Sequence, residues 1–336
     1  MSQTTNVFLT GAAGYLGGAI LQLLMRMPNL AITALVRDEQ KAAKLEQLGI
    51  ETVIGSLDDA ALMEAESAKA DAIFQSAAYD HLNGVNALLR GAKARFERTG
   101  KQPIFIQTAG TAIFGKLDAM GSPASGPALS DMDPNLYDHK NALPYTAIND
   151  ALIAADAEGF VRTYIVFPSV VYGTLKGLLV DAGIAHAYSL AIAVAVKLSI
   201  QRGQGAMVGP GLNRWSGAHV DDAADFYKIV FERALANDAT HGTQGSYVLE
   251  NCDFNYKDAT ERYTAILHAH GKSAKPGPEA FTAAEIEKNP MITLWGVDIR
   301  ITGDRARALG WNPTHGVEEF FESVQEDTEA ILAGKD

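Results

Sequence analysis

Val7-Phe8-Leu9-Thr10-Gly11-Ala12-Ala13-Gly14-Tyr15-Leu16-Gly17-Gly18-Ala19-Ile20 decides the fold. A short apolar run ends in a glycine turn. Leu16, Ile20, Leu21, Leu23 and Leu24 then recur with helical spacing. Strand, glycine turn and helix are the setting in which such glycines acquire a chemical meaning. Gly11 permits the sharp turn, Gly14 lets backbone approach a pyrophosphate, and Gly17 lets the helix lie close to the sheet. Free N–H groups and the helix dipole then favour an anion at the helix start. The stretch reads as a dinucleotide site preceded by Thr10.

Outward from it, strands and helices alternate. Ala31–Val36 is an apolar strand followed by Arg37, and a helix is predicted from about Glu39 to Leu48. Glu51–Gly55 is the next strand; Ser56-Leu57-Asp58-Asp59 opens a helix, capped by Asp58 or Asp59. Asp71–Ala78 is a buried strand ending in small residues, and a helix is expected over Gly84–Thr99. Strands at Ile104–Thr108 and Tyr164–Phe167 flank a Gly/Pro/Ser/Asp-rich loop, Leu117–Pro144, and a helical pattern, Tyr145–Glu158. This rhythm predicts an α/β Rossmann fold, a doubly wound parallel sheet. Ligands of such sheets sit beyond the carboxyl ends of the strands. That rule selects Gly11–Gly17, Arg37, Leu57, Ser76–Ala78, Thr108–Thr111 and Pro168–Tyr172.

Beyond Gly173 the pattern changes. A helix-like run covers Ile184–Gln201, another covers Asp221–Ala234, and Tyr247–Leu249 resembles a returning strand. The expected organisation is a dinucleotide-binding domain over 1–175, completed by about 213–250, with a smaller C-terminal substrate lobe from 176–212 and 251–336.

A formal net charge of −12 argues against a nucleic-acid binder, which usually carries a basic face. The single cysteine, Cys252, excludes an intrachain disulfide and suits a reducing compartment; it reads as a small filler residue. The N-terminus lacks a basic region before its apolar run, unlike a signal peptide. The apolar stretch Gly177–Ile200 contains Asp181, His186 and Lys197, so it is not expected to span a membrane. A soluble, cytoplasmic protein is expected. His219-Val220-Asp221-Asp222 offers no metal-ligand spacing, and Asp221 or Asp222 is expected to cap the following helix.

The residue after the second strand meets the adenosine ribose. An acidic residue there would bind the 2′-hydroxyl, whereas Arg37 offers a planar fork to a 2′-phosphate, with Lys41 one helical turn away. The cofactor expected is therefore NADP(H) rather than NAD(H).

With these residues assembled, the chain resembles the extended or atypical, epimerase/dehydratase-like branch of the short-chain dehydrogenase/reductase superfamily. The resemblance rests on Thr10–Gly17, on Gln107–Gly115 with Phe114 for the family's Tyr, and on Pro168-Ser169-Val170-Val171-Tyr172-Gly173. It extends through Trp215 with His219–Ala224 to Ala308-Leu309-Gly310-Trp311-Asn312-Pro313. It implies cofactor contacts from Thr10, Gly11, Gly14, Tyr15, Leu16, Gly17, Arg37, Leu57, Ser76, Ala77, Ala78, Thr108, Tyr145, Pro168, Val170 and Val171. It also implies a small-molecule substrate and a homodimer; separately, Trp215, Tyr172, His186 and Phe114 are candidates for the substrate side, with ordinary core packing the alternative for each.

The chain departs from the family's catalytic Tyr-x-x-x-Lys. The nearest match is Tyr145-Thr146-Ala147-Ile148-Asn149, with uncharged Asn149 where lysine belongs. Ungapped counting back from Pro168 instead sets Tyr145 at the lysine position and Asn141 at the tyrosine, with Tyr137 and Lys140 nearby. By the resemblance, Thr111 binds a carbonyl oxygen, Tyr145 protonates it and Asn149 holds the ribose; Thr108 is the other hydroxyl in reach. The implied activity is NADP-dependent hydride transfer to or from a carbonyl or alcohol. Its alternatives are an epimerase, isomerase or dehydratase-like enzyme that retains its cofactor, and an NADP-binding sensor without turnover.

Overall fold

A computed structural model describes residues 4–143 and 145–335. Its centre is a parallel sheet of seven strands: β1 (Thr5–Thr10), β2 (Leu30–Val36), β3 (Glu51–Ile54), β4 (Ala72–Gln75), β5 (Ile104–Thr108), β6 (Arg162–Pro168) and, late in the chain, Ser246–Leu249. Strands β3, β2, β1, β4, β5 and β6 lie in that spatial order, and Ser246–Leu249 adds at the β6 edge. Every pairing within it is parallel. The expected Rossmann architecture is therefore the observed one. The chain reverses direction between β1 and β4, where the ligand crevice of such sheets opens.

Five helices connect these strands: α1 (Tyr15–Leu24), α2 (Glu39–Gln47), α3 (Ala60–Ser67), α4 (Leu82–Thr99) and α5 (Thr146–Ala157). Side chains alternate between the two faces of each strand, so each face has its own core. Val7, Leu9, Phe74, Ile106 and Val166 meet α1 and a later helix through Ile20, Leu21, Phe226 and Val230. Phe8, Ile73, Phe105 and Ile165 meet α4 and α5 through Leu88, Ile148 and Leu152.

Beyond β6 the chain forms β7 (Val170–Tyr172), α6 (Leu190–Arg202), β8 (Arg214–His219), α7 (Val220–Leu235), β9 (Ser246–Leu249), β10 (Cys252–Asn255), α8 (Tyr256–Ala269) and α9 (Val317–Leu332). Strands β7, β8 and β10 make a second, small sheet. Phe320 and Val324 of α9 pack on it with Tyr172, Phe254 and Tyr263.

Three local expectations change. The helix-like run from Ile184 starts only at Leu190, because residues before it turn back along the chain: Leu175 N–H donates to Ala187 O at 2.8 Å. The Leu117–Pro144 loop contains short 3-10 turns and a two-residue strand, Leu129–Ser130, paired with Ile301–Thr302; Pro144 itself lies outside the described residues. α7 is capped not by Asp221 or Asp222 but by His219, whose Nδ1 accepts the Asp221 N–H at 3.2 Å. Among the described residues no helix is long and apolar enough to cross a membrane.

Candidate nucleotide site and active site

The turn after β1 is built by close approach. Gly11 has φ +85°, and a Cβ there would sit 2.7 Å from Ser76 C and Ala77 N, so β1 and β4 can end side by side only with glycine. A Cβ on Gly17 would lie 2.1 Å from Gly11 O, which keeps the first turn of α1 against the loop. Gly14 stands at the N-cap of α1 without a side-chain cap, and the first turn holds no acidic residue. Its N–H groups and dipole are left for an anion. Thr10 is buried and its hydroxyl donates to Gln75 Oε1 at 3.2 Å. Gln75 in turn accepts the Ala77 N–H at 2.9 Å, and the Ser76 hydroxyl donates to Thr10 O at 2.8 Å. Buried Gln75 thus shapes the Ser76–Ala78 turn, a role that its polar side chain inside a buried strand signals. Leu16 is half-buried at the helix start. The Tyr15 hydroxyl reaches across to the Gly173 carbonyl.

At the adenosine end, Arg37 is exposed at the top of β2. Asp38 beside it is turned into α2, where its carboxylate accepts the Gln40 and Lys41 N–H groups at 2.8 and 3.0 Å. Those amides hold its pKa below the usual carboxylate value. The acidic neighbour is therefore occupied, while neither the Arg37 nor the Lys41 head makes an ion pair among the described residues. Leu57 is buried, and Asp58 meets His81 at 2.9 Å. His81 also caps α4, accepting the Gly84 N–H at 3.0 Å, so that helix begins two residues before the expected Gly84. Asp59, one of the two expected caps, accepts the Leu62 N–H at 3.0 Å.

The opposite end of the crevice holds the catalytic candidates. Tyr145 is buried at the start of α5, its ring edge-on to Tyr79 at 5.1 Å. Its hydroxyl has no hydrogen-bond partner among the described residues, and burial, with Tyr79 second, pushes its pKa up. Asn149 lies one turn along on the buried face of α5, and its Nδ2 is buried without a partner. A buried unpaired donor is costly unless something meets it. Thr111 is buried in the turn after β5. Thr108 instead pairs its hydroxyl with buried Tyr227 OH at 2.7 Å, which ties β5 to α7. Pro168 ends β6, and Val170 and Val171 run beside Gly217 and Ala218 of β8.

In sequence, 28% of residues are identical over 98% of this chain and 99% of "Oxidase ucsJ" from an Acremonium species. A 4-hydroxy-2-methyl-3-oxo-4-farnesyl-3,4-dihydroquinoline-1-oxide ketoreductase from Stigmatella aurantiaca is 32% identical over 80 residues, 24% of either chain. The NmrA-like family model matches residues 3–94. In structure, UDP-glucose 4-epimerase from Thermotoga maritima, solved with UDP-glucose, overlays 97% of this chain and 99% of its own at a TM-score of 0.66 and 14% identity. dTDP-glucose 4,6-dehydratase from Bacillus anthracis, in complex with NAD, overlays 96% of both chains at 0.65 and 16%. The chain shares the overall fold of these epimerase and dehydratase structures.

Within that fold, the other candidates are accounted for locally. Asn141, at the family's tyrosine position by count, donates from Nδ2 to Gly115 O at 2.5 Å and braces the 111–115 turn. Tyr137 OH meets Ser246 Oγ at 2.6 Å, and Lys140 pairs with Asp150 at 2.5 Å, so neither faces Tyr145 as a partner. Trp215 donates to Val297 O at 2.7 Å, Tyr172 donates to Gly316 O at 2.8 Å, and Phe114 packs on Phe167. Two carboxylates that the sequence pattern did not single out fix the long loop carrying Asn141. Asp131 accepts the Val248 and Arg305 N–H groups at 2.9 and 2.7 Å; Asp298 accepts the Ala124 and Arg214 N–H groups at 3.1 and 2.7 Å. Both act across long sequence separations, so spacing carries no signal for them. Among the described residues no cluster of three metal-ligating side chains occurs.

Proposed function

We propose that the chain is an NADP-dependent oxidoreductase acting on a carbonyl or alcohol of a small organic molecule. The observation that carries the cofactor choice is the Arg37 cation, which makes no ion pair among the described residues, with Asp38 occupied as a helix cap. The oxidase and ketoreductase names among the relatives support the reaction class. When bound, the nicotinamide supplies or accepts the hydride.

The chain's own residues hold and orient. Gly11, Gly14, Tyr15, Leu16 and Gly17 cradle the pyrophosphate at the start of α1. Arg37 takes the 2′-phosphate; Leu57, Ser76, Ala77 and Ala78 border the adenosine half. Thr108, Pro168, Val170 and Val171 border the nicotinamide half, and the orphaned Asn149 Nδ2 meets the ribose. Thr111 binds the carbonyl oxygen. Tyr145 gives it a proton in the reductive direction; burial keeps the phenol protonated but also makes it a weaker acid, so the proton moves only as negative charge develops on the carbonyl oxygen.

One observation favours a second reading, an NADP-binding sensor without turnover: among the described residues no lysine lowers the Tyr145 pKa, and its hydroxyl has no hydrogen-bond partner. Titrating the protein with NADP+ and NAD+, then following NADPH oxidation over a panel of aldehydes and ketones, separates the readings. Tighter NADP+ binding that Arg37→Ala abolishes, with turnover, supports the oxidoreductase. Tight binding with no turnover on any substrate supports the sensor, and conversion without net NADPH loss supports an isomerase. Equal or tighter NAD+ binding removes the role of Arg37.

A further inference from the structure

Between β7 and α6 the chain leaves the small second sheet and runs over α1 and α2. Three contacts hold it there. Gln22 of α1 accepts the Leu179 N–H at 3.1 Å and donates to Lys176 O at 3.1 Å. Lys44 of α2 donates to Ala182 O at 2.8 Å. Ala185 presses on α1 so closely that a Cβ on Gly18 would stand 2.5 Å from the Ala185 Cβ. Gly18 lies in the first turn of α1, next to Gly17, so the stretch passes the anion-facing end of that helix. The next residue, His186, is exposed and makes no ring hydrogen bond among the described residues.

Lys44 and Lys41 stand on successive turns of α2, so from Ala182 onward the stretch runs along that helix toward its start. Arg37 and Lys41 contribute two cations without ion-pair partners among the described residues, in a chain whose formal net charge is −12. Lys41 is the charged group that acts on His186; Lys44 is engaged with Ala182 O, and Asp38 is engaged with the α2 amides. We propose that residues 182–187 form a clasp over the adenosine end of the nucleotide site, and that His186 is a third, proton-dependent cation for the phosphate monoester held by Arg37 and Lys41. This rests on the NADP reading above.

The sign follows from the surroundings. Partial desolvation of the ring first and Lys41 second hold the imidazole below its ordinary pKa, which favours its neutral form in the free protein. A phosphate dianion offsets both effects, and binding takes up a proton. Lower pH then tightens NADP+ through this residue, whereas NAD+, lacking the phosphate, is indifferent to it. The phosphate's own titration, near pH 6, is common to every variant and cancels between them.

The test is calorimetric titration of the full chain with NADP+ and with NAD+, at pH 6.5 and 8.5, in buffers of different ionisation enthalpy. His186→Gln is expected to weaken NADP+ about three- to tenfold at pH 6.5, less than about twofold at pH 8.5, and to leave NAD+ unchanged. Proton uptake on NADP+ binding is expected in the wild type and lost in the variant. His186→Arg should restore tight NADP+ binding at both pH values. If His186→Gln matches wild type at both pH values while NADP+ remains preferred, the clasp is wrong and the Arg37 reading stands. If the wild type binds NAD+ at least as tightly, the Arg37 reading falls and takes the clasp with it.

Discussion

The Tyr15 hydroxyl donates to the Gly173 carbonyl, joining the first turn of the nucleotide-site helix to the turn that follows β7. Gly173 has φ +95° and lies flat under His219, whose Nε2 would be 2.1 Å from a Cβ at that position. The turn cannot easily shift to find another donor. Tyr15→Phe leaves a buried carbonyl unpaired and is expected to destabilise the fold by about 1–3 kcal/mol. Urea unfolding measures it. An unchanged midpoint would show that the two halves are not coupled through this bond.

Asp327 of α9 is fully buried, and its carboxylate faces the Ser189 N–H, with no closer hydrogen bond to either oxygen among the described residues. The Ser189 amide lowers its pKa in part, but burial dominates and pushes it up to about 7. An unfolded aspartate titrates near 3.9. The folded state therefore binds the extra proton between about pH 4 and 7, and stability falls as pH rises through that window. The charge above pH 7 costs on the order of 2–4 kcal/mol. Asp327→Asn should raise the Tm at pH 8 and leave it nearly unchanged at pH 4. A Tm that drops at pH 8 would contradict this assignment.

The parts of the molecule set by adjacent residues are legible in the chain. Gly11, Gly14 and Gly17 act on their own turn, so their spacing announces it, and each apolar strand announces its burial. Residues working across distance leave no such pattern. Asp131 meets residues 117 and 174 positions away through backbone amides, which any sequence supplies. The delayed start of α6 depends on the Leu175–Ala187 bond and on Ser189, whose hydroxyl turns to Val171 O at 2.7 Å instead of capping its own helix. In the candidate site, the residue types Tyr145 and Asn149 are readable, but the burial of Tyr145 against Tyr79 and of Asn149 Nδ2 arises only when α5 docks.

Cys252 begins β10, buried against Gly217 and Tyr172. Burial pushes its thiol up to about 12. Since the thiolate is the reactive form, the folded protein should resist an aromatic disulfide reagent at pH 8. The guanidinium-unfolded protein should release one equivalent per chain, matching its single cysteine. Rapid labelling of the folded form would mean that the small sheet opens readily.

Tyr145 carries the sharpest functional prediction. Its ring packs against Tyr79, and its hydroxyl bonds to nothing among the described residues. Removing the oxygen should therefore leave folding intact: Tyr145→Phe should keep its Tm and its NADP+ affinity. If Tyr145 protonates the carbonyl oxygen, the same change should lower kcat for carbonyl reduction by about 10²–10⁴ with little effect on KM. Protonation by a phenol whose pKa is raised also predicts a reductive rate that stays level through neutral pH. A variant with full kcat and unaltered stability would assign Tyr145 to packing alone and leave Thr111 and Asn149 as the polar groups at that end of the crevice.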